Sequence, residues 1–142
     1  MLEMGKPRLY YAAAMLGDRS NLEDNREIAR LLEDDFEIIT KHVFEDMLDI
    51  EKGAKPEEIF KRDIELLDKC DYVVADVSYP SLGVGFEIAY ALLKLKPVIG
   101  ICRSERVEKT SALIRGISWK NFYFVTYDTP RDAVEKIKKL IG

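Results

Sequence analysis

Ser81-Leu82-Gly83-Val84-Gly85-Phe86-Glu87 places a hydroxyl, two glycines and a carboxylate on one short segment. Glycines there let backbone approach a ligand closely, and free N–H groups at a helix start attract an anion such as phosphate. Tight packing accounts for the glycines equally well, so spacing leaves both readings open. The segment is no dinucleotide fingerprint, because Ile88 stands where G-x-G-x-x-G needs its third glycine. Glu87 falls in the first turn of an expected helix otherwise rich in apolar residues, Val84, Phe86, Ile88, Ala89, Ala91, Leu92 and Leu93. It reads either as an acid favoured by the helix dipole or as a catalytic carboxylate facing a ligand. Asp63, between Arg62 and Ile64, reads alone as solvated surface, and Asp76, ending an apolar run, reads as a turn cap. Tyr10 and Tyr11 fall on opposite sides of a strand, each expected in a core with its hydroxyl satisfied. His42 reads as packed or surface histidine, and Trp119, Phe122, Tyr123 and Phe124 as an aromatic core or interface cluster. Two cysteines, Cys70 and Cys102, without a CxxC and beside a single histidine, leave no Cys/His zinc site.

The elements that must position these groups alternate. Apolar runs predict strands over 8–15, 36–40, 72–77, 97–102 and 122–126, the third being a continuous buried run as a central parallel strand requires. Between them, Ser20 or Asn21 caps a helix carrying Ile28, Leu31 and Leu32 on one face, Pro56 opens a helix to about 69, and helices follow over 84–95 and 130–140. Residues 45–56 read as a mobile connection, and 103–120 as a loop with a short helix near 111–115. Strand–helix alternation implies an α/β sandwich, flavodoxin-like or Rossmann-like, with a five-stranded parallel sheet in the order 2-1-3-4-5. Ligands in such sheets bind beyond the carboxyl ends of the strands where the order reverses. Residues 12–19 and 78–87 are therefore expected to face each other across one crevice.

The chain has 142 residues, which predicts one domain over 1–142 that needs neither disulfide nor metal for stability. Lys and Arg total 22 against 26 Asp and Glu, a net charge of -4. That balance argues against a nucleic-acid polymer or an anionic membrane as partner. No apolar run approaches the roughly 20 residues of a membrane helix. Residues 1–8 lack a signal-peptide core, so the cytoplasm is the expected compartment.

The segments YAAAM, ITKHV, RDIELLDKCDYVVADV, PSLGVGFEIAYAL and SALIRG occur in the order, and over nearly the whole length, that resembles the nucleoside 2-deoxyribosyltransferase superfamily. Within it they are most similar to the 2′-deoxynucleoside 5′-monophosphate N-glycosidases. The resemblance implies a flavodoxin-like dimer that breaks the N-glycosidic bond without metal or organic cofactor. It matches Glu87 to the nucleophile, Asp63 to the acid that assists departure of the base, and Tyr10 to a tyrosine near the sugar. It places Met15, Arg19 and His42 at the substrate. Ser81 and the Gly83 and Gly85 backbone fall on phosphate contacts, and Ser111 on a serine supplied by the neighbouring subunit. Deoxyribosyltransferases carry an acid where this chain has Ser81, and a hydroxyl suits a phosphorylated substrate better than a carboxylate does. Leu16 replaces an arginine frequent in nucleotide-hydrolysing relatives, so either Arg19, a few residues later, serves in its place or the site binds phosphate without it. Arg115 matches a family arginine that reads as structural. The implied reaction gives free base and deoxyribose 5-phosphate. The alternatives are deoxyribose transfer between bases and a silent nucleotide-binding domain.

Overall fold

Strands apolar on both faces need cover on both faces, and the chain supplies it by laying a helix after each strand. The computed structural model describes residues 5–14, 21–40 and 52–141. Its strands are β1 (Arg8–Ala12), β2 (Glu37–Ile38), β3 (Tyr72–Asp76), β4 (Val98–Arg103) and β5 (Phe122–Tyr127). The α-helices are α1 (Leu22–Leu32), α2 (Pro56–Lys69), α3 (Leu82–Leu93), α4 (Ala112–Arg115) and α5 (Pro130–Ile141). All strand pairs are parallel, in the expected order β2-β1-β3-β4-β5.

Register divides the core into two layers. Tyr10 lies opposite Val73 and Tyr11 opposite Val74, so the consecutive tyrosines enter different layers. Tyr11, Val74 and Ile99 pack with Ile28 and Leu32 of α1 and Val134 and Ile137 of α5. Tyr10, Val73 and Ala75 pack with Leu67 of α2 and Ile88, Ala91 and Leu92 of α3. Cys70 and Cys102 are small buried residues of this second layer.

Several boundaries differ from the pattern reading. β1 stops at Ala12, with Ala13 and Ala14 outside the strand, and β2, an edge strand, keeps only two residues, paired with Arg8 and Leu9. The segment after β4 forms a 3-10 helix over Ser104–Lys109, followed by the expected short α4. Of the aromatic cluster, Phe122 is buried whereas Trp119 is 54% exposed, since the turn before β5 points it outward. Part of the 45–56 connection lies outside the described residues.

Asn21 occupies the N-cap position of α1, but its side chain makes no cap bond. Its amide reaches across to Asp76 Oδ2 at 2.7 Å, and the Tyr127 hydroxyl donates to the same oxygen at 2.6 Å. Asp76 Oδ1 accepts from the Ser78 N–H at 2.9 Å, the expected turn cap, so one buried carboxyl joins β3, β5 and the start of α1. Burial pushes the Asp76 carboxyl above its usual range against the pull of these donors. Arg103 adds a tie, donating its backbone N–H to Ser78 Oγ at 2.8 Å and pairing its guanidinium with Asp24. Asp76→Ala takes the acceptor from three buried donors, the Asn21 amide, the Tyr127 hydroxyl and the Ser78 N–H, and is expected to lower unfolding free energy by roughly 2–4 kcal/mol. Urea unfolding reads this directly, and a loss below about 0.5 kcal/mol contradicts the network's role.

Candidate active site

α3 begins two residues earlier than the periodicity predicts, because Ser81 caps it: Ser81 Oγ accepts from Val84 N–H at 3.2 Å. This start turns Val84, Ile88, Ala91 and Leu92 onto the sheet and carries Glu87 towards β1. The Tyr10 hydroxyl, from a side chain 1% exposed, donates to Glu87 Oε2. Asp63, on α2, lies close enough that its charge acts on both Tyr10 and Glu87. Arg62 Nε donates to Asp63 Oδ1 at 3.0 Å, and its charge also reaches both groups. Three elements thus bring Tyr10, Asp63 and Glu87 to one place. Asp63 is not the isolated surface acid its flanking residues suggest.

The electrostatics follow from this packing. Burial pushes the Glu87 carboxyl up to about 7, with the charge of Asp63 acting in the same direction. The hydrogen bond from Tyr10 and the charge of Arg62 favour the ionised form and hold it from going higher. Burial also drives the Tyr10 phenol well above its ordinary range, so it stays a proton donor at any working pH. A carboxyl poised near neutrality beside a permanent donor and a second carboxyl is suited to nucleophilic and acid–base work on a glycosidic bond.

The glycines of α3 now have a clearer reading. A Cβ on Gly83 meets only Ser81 Oγ at 3.9 Å, and one on Gly85 meets nothing within 4 Å. Neither has a positive φ. Packing within the chain therefore does not require them, while glycine inside a helix costs up to about 1 kcal/mol. Open space at the start of α3 beside free N–H groups is what an approaching anion or partner needs.

The remaining sequence-derived positions separate. Ser111 is exposed and caps α4, with its Oγ accepting from Ile114 N–H at 3.3 Å. Arg115 Nε donates to the Thr110 carbonyl at 3.2 Å, a contact consistent with a structural part. Met15, Leu16, Arg19 and His42 lie outside the described residues. A narrow crevice of about 10 Å³, room for about one water, lies at the carboxyl ends of β1 and β3 between Ala13, Ala14, Asn21, Asn25, Asp76 and Tyr79; Ser81, Gly83, Gly85 and Glu87 are not in its lining, and residues 15–19 of the expected facing segment lie outside the described residues. A wider opening of about 440 Å³ lies at the amino ends, against Gly5, Lys6, Pro7 and Asp71, remote from the carboxyl pair. Pattern reading did not single out Arg62, whose only sequence signal is adjacency to Asp63. Among the described residues no three His, Cys, Asp or Glu side chains converge as a metal site, and no helix is long and apolar enough to cross a membrane.

Known proteins similar to this chain identify its family and fold. A Thermofilum pendens protein, provisionally named 2′-deoxynucleoside 5′-phosphate N-hydrolase 1, is 51% identical over 135 residues, covering 94% of each chain. The human 5-hydroxymethyl-dUMP N-hydrolase is 34% identical over 95% of this chain and 79% of its own. The structure of a Clostridium botulinum CMP N-glycosidase superposes with a TM-score of 0.69 at 20% identity, over 94% of this chain and 99% of that one, which supports the fold. The family model for nucleoside 2-deoxyribosyltransferase matches residues 9–125, a span holding Tyr10, Asp63, Ser81, Glu87 and Ser111, and the chain belongs to that family.

Proposed function

We propose that the chain hydrolyses the N-glycosidic bond of 2′-deoxynucleoside 5′-monophosphates to free base and deoxyribose 5-phosphate. The contact of the Tyr10 hydroxyl with Glu87, under the charge of Asp63, is the observation that carries this reading. The names of the 51% and 34% identical relatives, both N-hydrolases of deoxynucleotides, support it.

In the first step a Glu87 carboxylate oxygen bonds to C1′ as the C1′–N bond breaks, passing through an oxocarbenium-like state. In the reactive form the one proton of the carboxyl pair has passed to Asp63, leaving Glu87 ionised, and Asp63 gives that proton to the departing base. A water then attacks C1′, Asp63 takes a proton from it, and the ester bond breaks to restore the Glu87 carboxylate. Tyr10 holds the attacking oxygen and favours its charged form. Ser81 Oγ uses a lone pair to cap α3, which leaves its O–H to donate to the 5′-phosphate beside the N–H groups near Gly83 and Gly85.

The site works as a homodimer, with Ser111 reaching the phosphate of the neighbouring subunit. Support comes from apolar side chains held in solvent beside both serines: Leu82 is 97% exposed and Leu113 82% exposed.

Four outcomes test this reading. Incubation with dGMP releases guanine and deoxyribose 5-phosphate; a second added base that yields a new nucleotide faster than free sugar forms establishes transfer instead. Glu87→Gln abolishes release yet stabilises the fold at pH 8. The native carboxyl titrates near 7 and the unfolded one near 4.5, so the native state holds the extra proton between them. Stability therefore falls as pH rises through that window, and Gln removes the penalty, so the gain in Tm at pH 8 shrinks towards zero at pH 4. The acid limb of kcat/KM lies near pH 7, and Tyr10→Phe, which removes a donor to the charged form, moves it to higher pH; an unmoved limb contradicts the role of Tyr10. Mixing inactive Glu87→Ala with Ser111→Ala chains rebuilds one complete site in each heterodimer, restoring about a quarter of full activity. No gain above the Ser111→Ala chain alone contradicts sharing across subunits.

A further inference from the structure

A dianionic phosphate needs more than the roughly half charge of a helix start, and this site is otherwise rich in carboxyls. Arg103 is already paired with Asp24 and Glu105, and Arg62 with Asp63. Arg106 is different. It sits on the 3-10 helix after β4, half-buried, and makes no ion pair among the described residues. Its Nε donates to the Ser78 carbonyl at 3.0 Å, and its guanidinium lies 4.2 Å from the centre of the Tyr79 ring. Those contacts fix the plane of the group while using one of five N–H donors. The four on its two terminal nitrogens have no protein acceptor among the described residues.

The position matters as much as the free donors. Tyr79 lines the crevice at the carboxyl ends of β1 and β3. Ser78 and Tyr79 belong to the turn that ends at Ser81, the cap of α3, and three residues span at most about 11 Å. An arginine clamped to that turn lies within reach of an anion held at the α3 start. We propose that Arg106 is a specificity-determining residue: it binds the 5′-phosphate through its terminal N–H groups and supplies the full positive charge that a leucine at position 16 does not. The assignment rests on the nucleotide reading of the site given above. Tyr79 acts as the positioning residue that holds the guanidinium flat against the turn.

Calorimetric titration with deoxyribose 5-phosphate and with deoxyguanosine tests the assignment without turnover. Arg106→Gln is expected to weaken the sugar phosphate about 10- to 100-fold and to leave deoxyguanosine within about twofold, with Arg106→Lys in between and the thermal midpoint preserved. Tyr79→Leu, which keeps the charge and loosens its seat, weakens the sugar phosphate less than Arg106→Gln does. Equal losses for both ligands, or no loss for either, overturn the assignment. Wild-type chain that binds the sugar phosphate through Arg106 yet releases no base from dGMP sinks the hydrolysis reading and leaves Arg106 standing. Wild-type chain that does not bind deoxyribose 5-phosphate at all removes the Arg106 assignment, whatever its turnover.

Discussion

A carboxyl withdrawn from water is costly unless something donates to it, and the Glu87 site is organised around that cost. The Glu87 side chain is half-buried, and the Tyr10 hydroxyl, from the layer of Val73, Ile88, Ala91 and Leu92, is its hydrogen-bond donor. Burial wins over that one donor, so the group titrates near neutrality instead of as an ordinary glutamate. The Tyr10–Glu87 contact thereby does two things with one bond. It holds the carboxylate oxygens in place, and it sets how readily they become charged. Asp63 and Arg62 adjust the same balance from α2, one in each direction.

The two consecutive tyrosines of β1 show how a parallel strand serves both faces of its sheet. Tyr10 turns to the α2/α3 layer and meets Glu87, while Tyr11 turns to the α1/α5 layer and donates to Asn25 Oδ1 at 2.6 Å. On that second face, Asp76, Asn21 and Tyr127 lock the ends of β3 and β5 to the start of α1. A buried polar network thus holds one side of the sheet, and the Tyr10–Glu87 contact lies on the other. Deforming either side moves the other through β1 and β3, which carry both.

Strand order was legible in the chain because the apolar runs of β3, β4 and β5 are short, continuous and rich in β-branched and aromatic residues, and alternation with helices then forces parallel pairing. Placing Glu87, Asp63 and Tyr10 together was beyond spacing: Asp63 and Glu87 lie on different helices, and only the resemblance linked them. Asn21 misled for a physical reason. Its type favours capping, but the buried Asp76 carboxyl at the end of β3, the strand beside β1, offers it a better partner. The glycines at 83 and 85 stayed ambiguous in sequence, since packing and ligand access leave the same residue there; the space around them favours access. The guanidinium of Arg106 was invisible for a similar reason, as nothing nearby in the chain signals that Tyr79 will lie beneath it.

The central claim is that Glu87 itself bonds to the sugar. Mass spectrometry of the chain after incubation with a 2′-fluoro-2′-deoxyarabinonucleoside 5′-monophosphate tests it, because fluorine destabilises the oxocarbenium-like state and slows release of the ester. The account predicts a mass gain equal to the fluorinated sugar phosphate, carried by the peptide containing Glu87 and absent from Glu87→Gln. Base release without any covalent adduct, or an adduct on another residue, contradicts it.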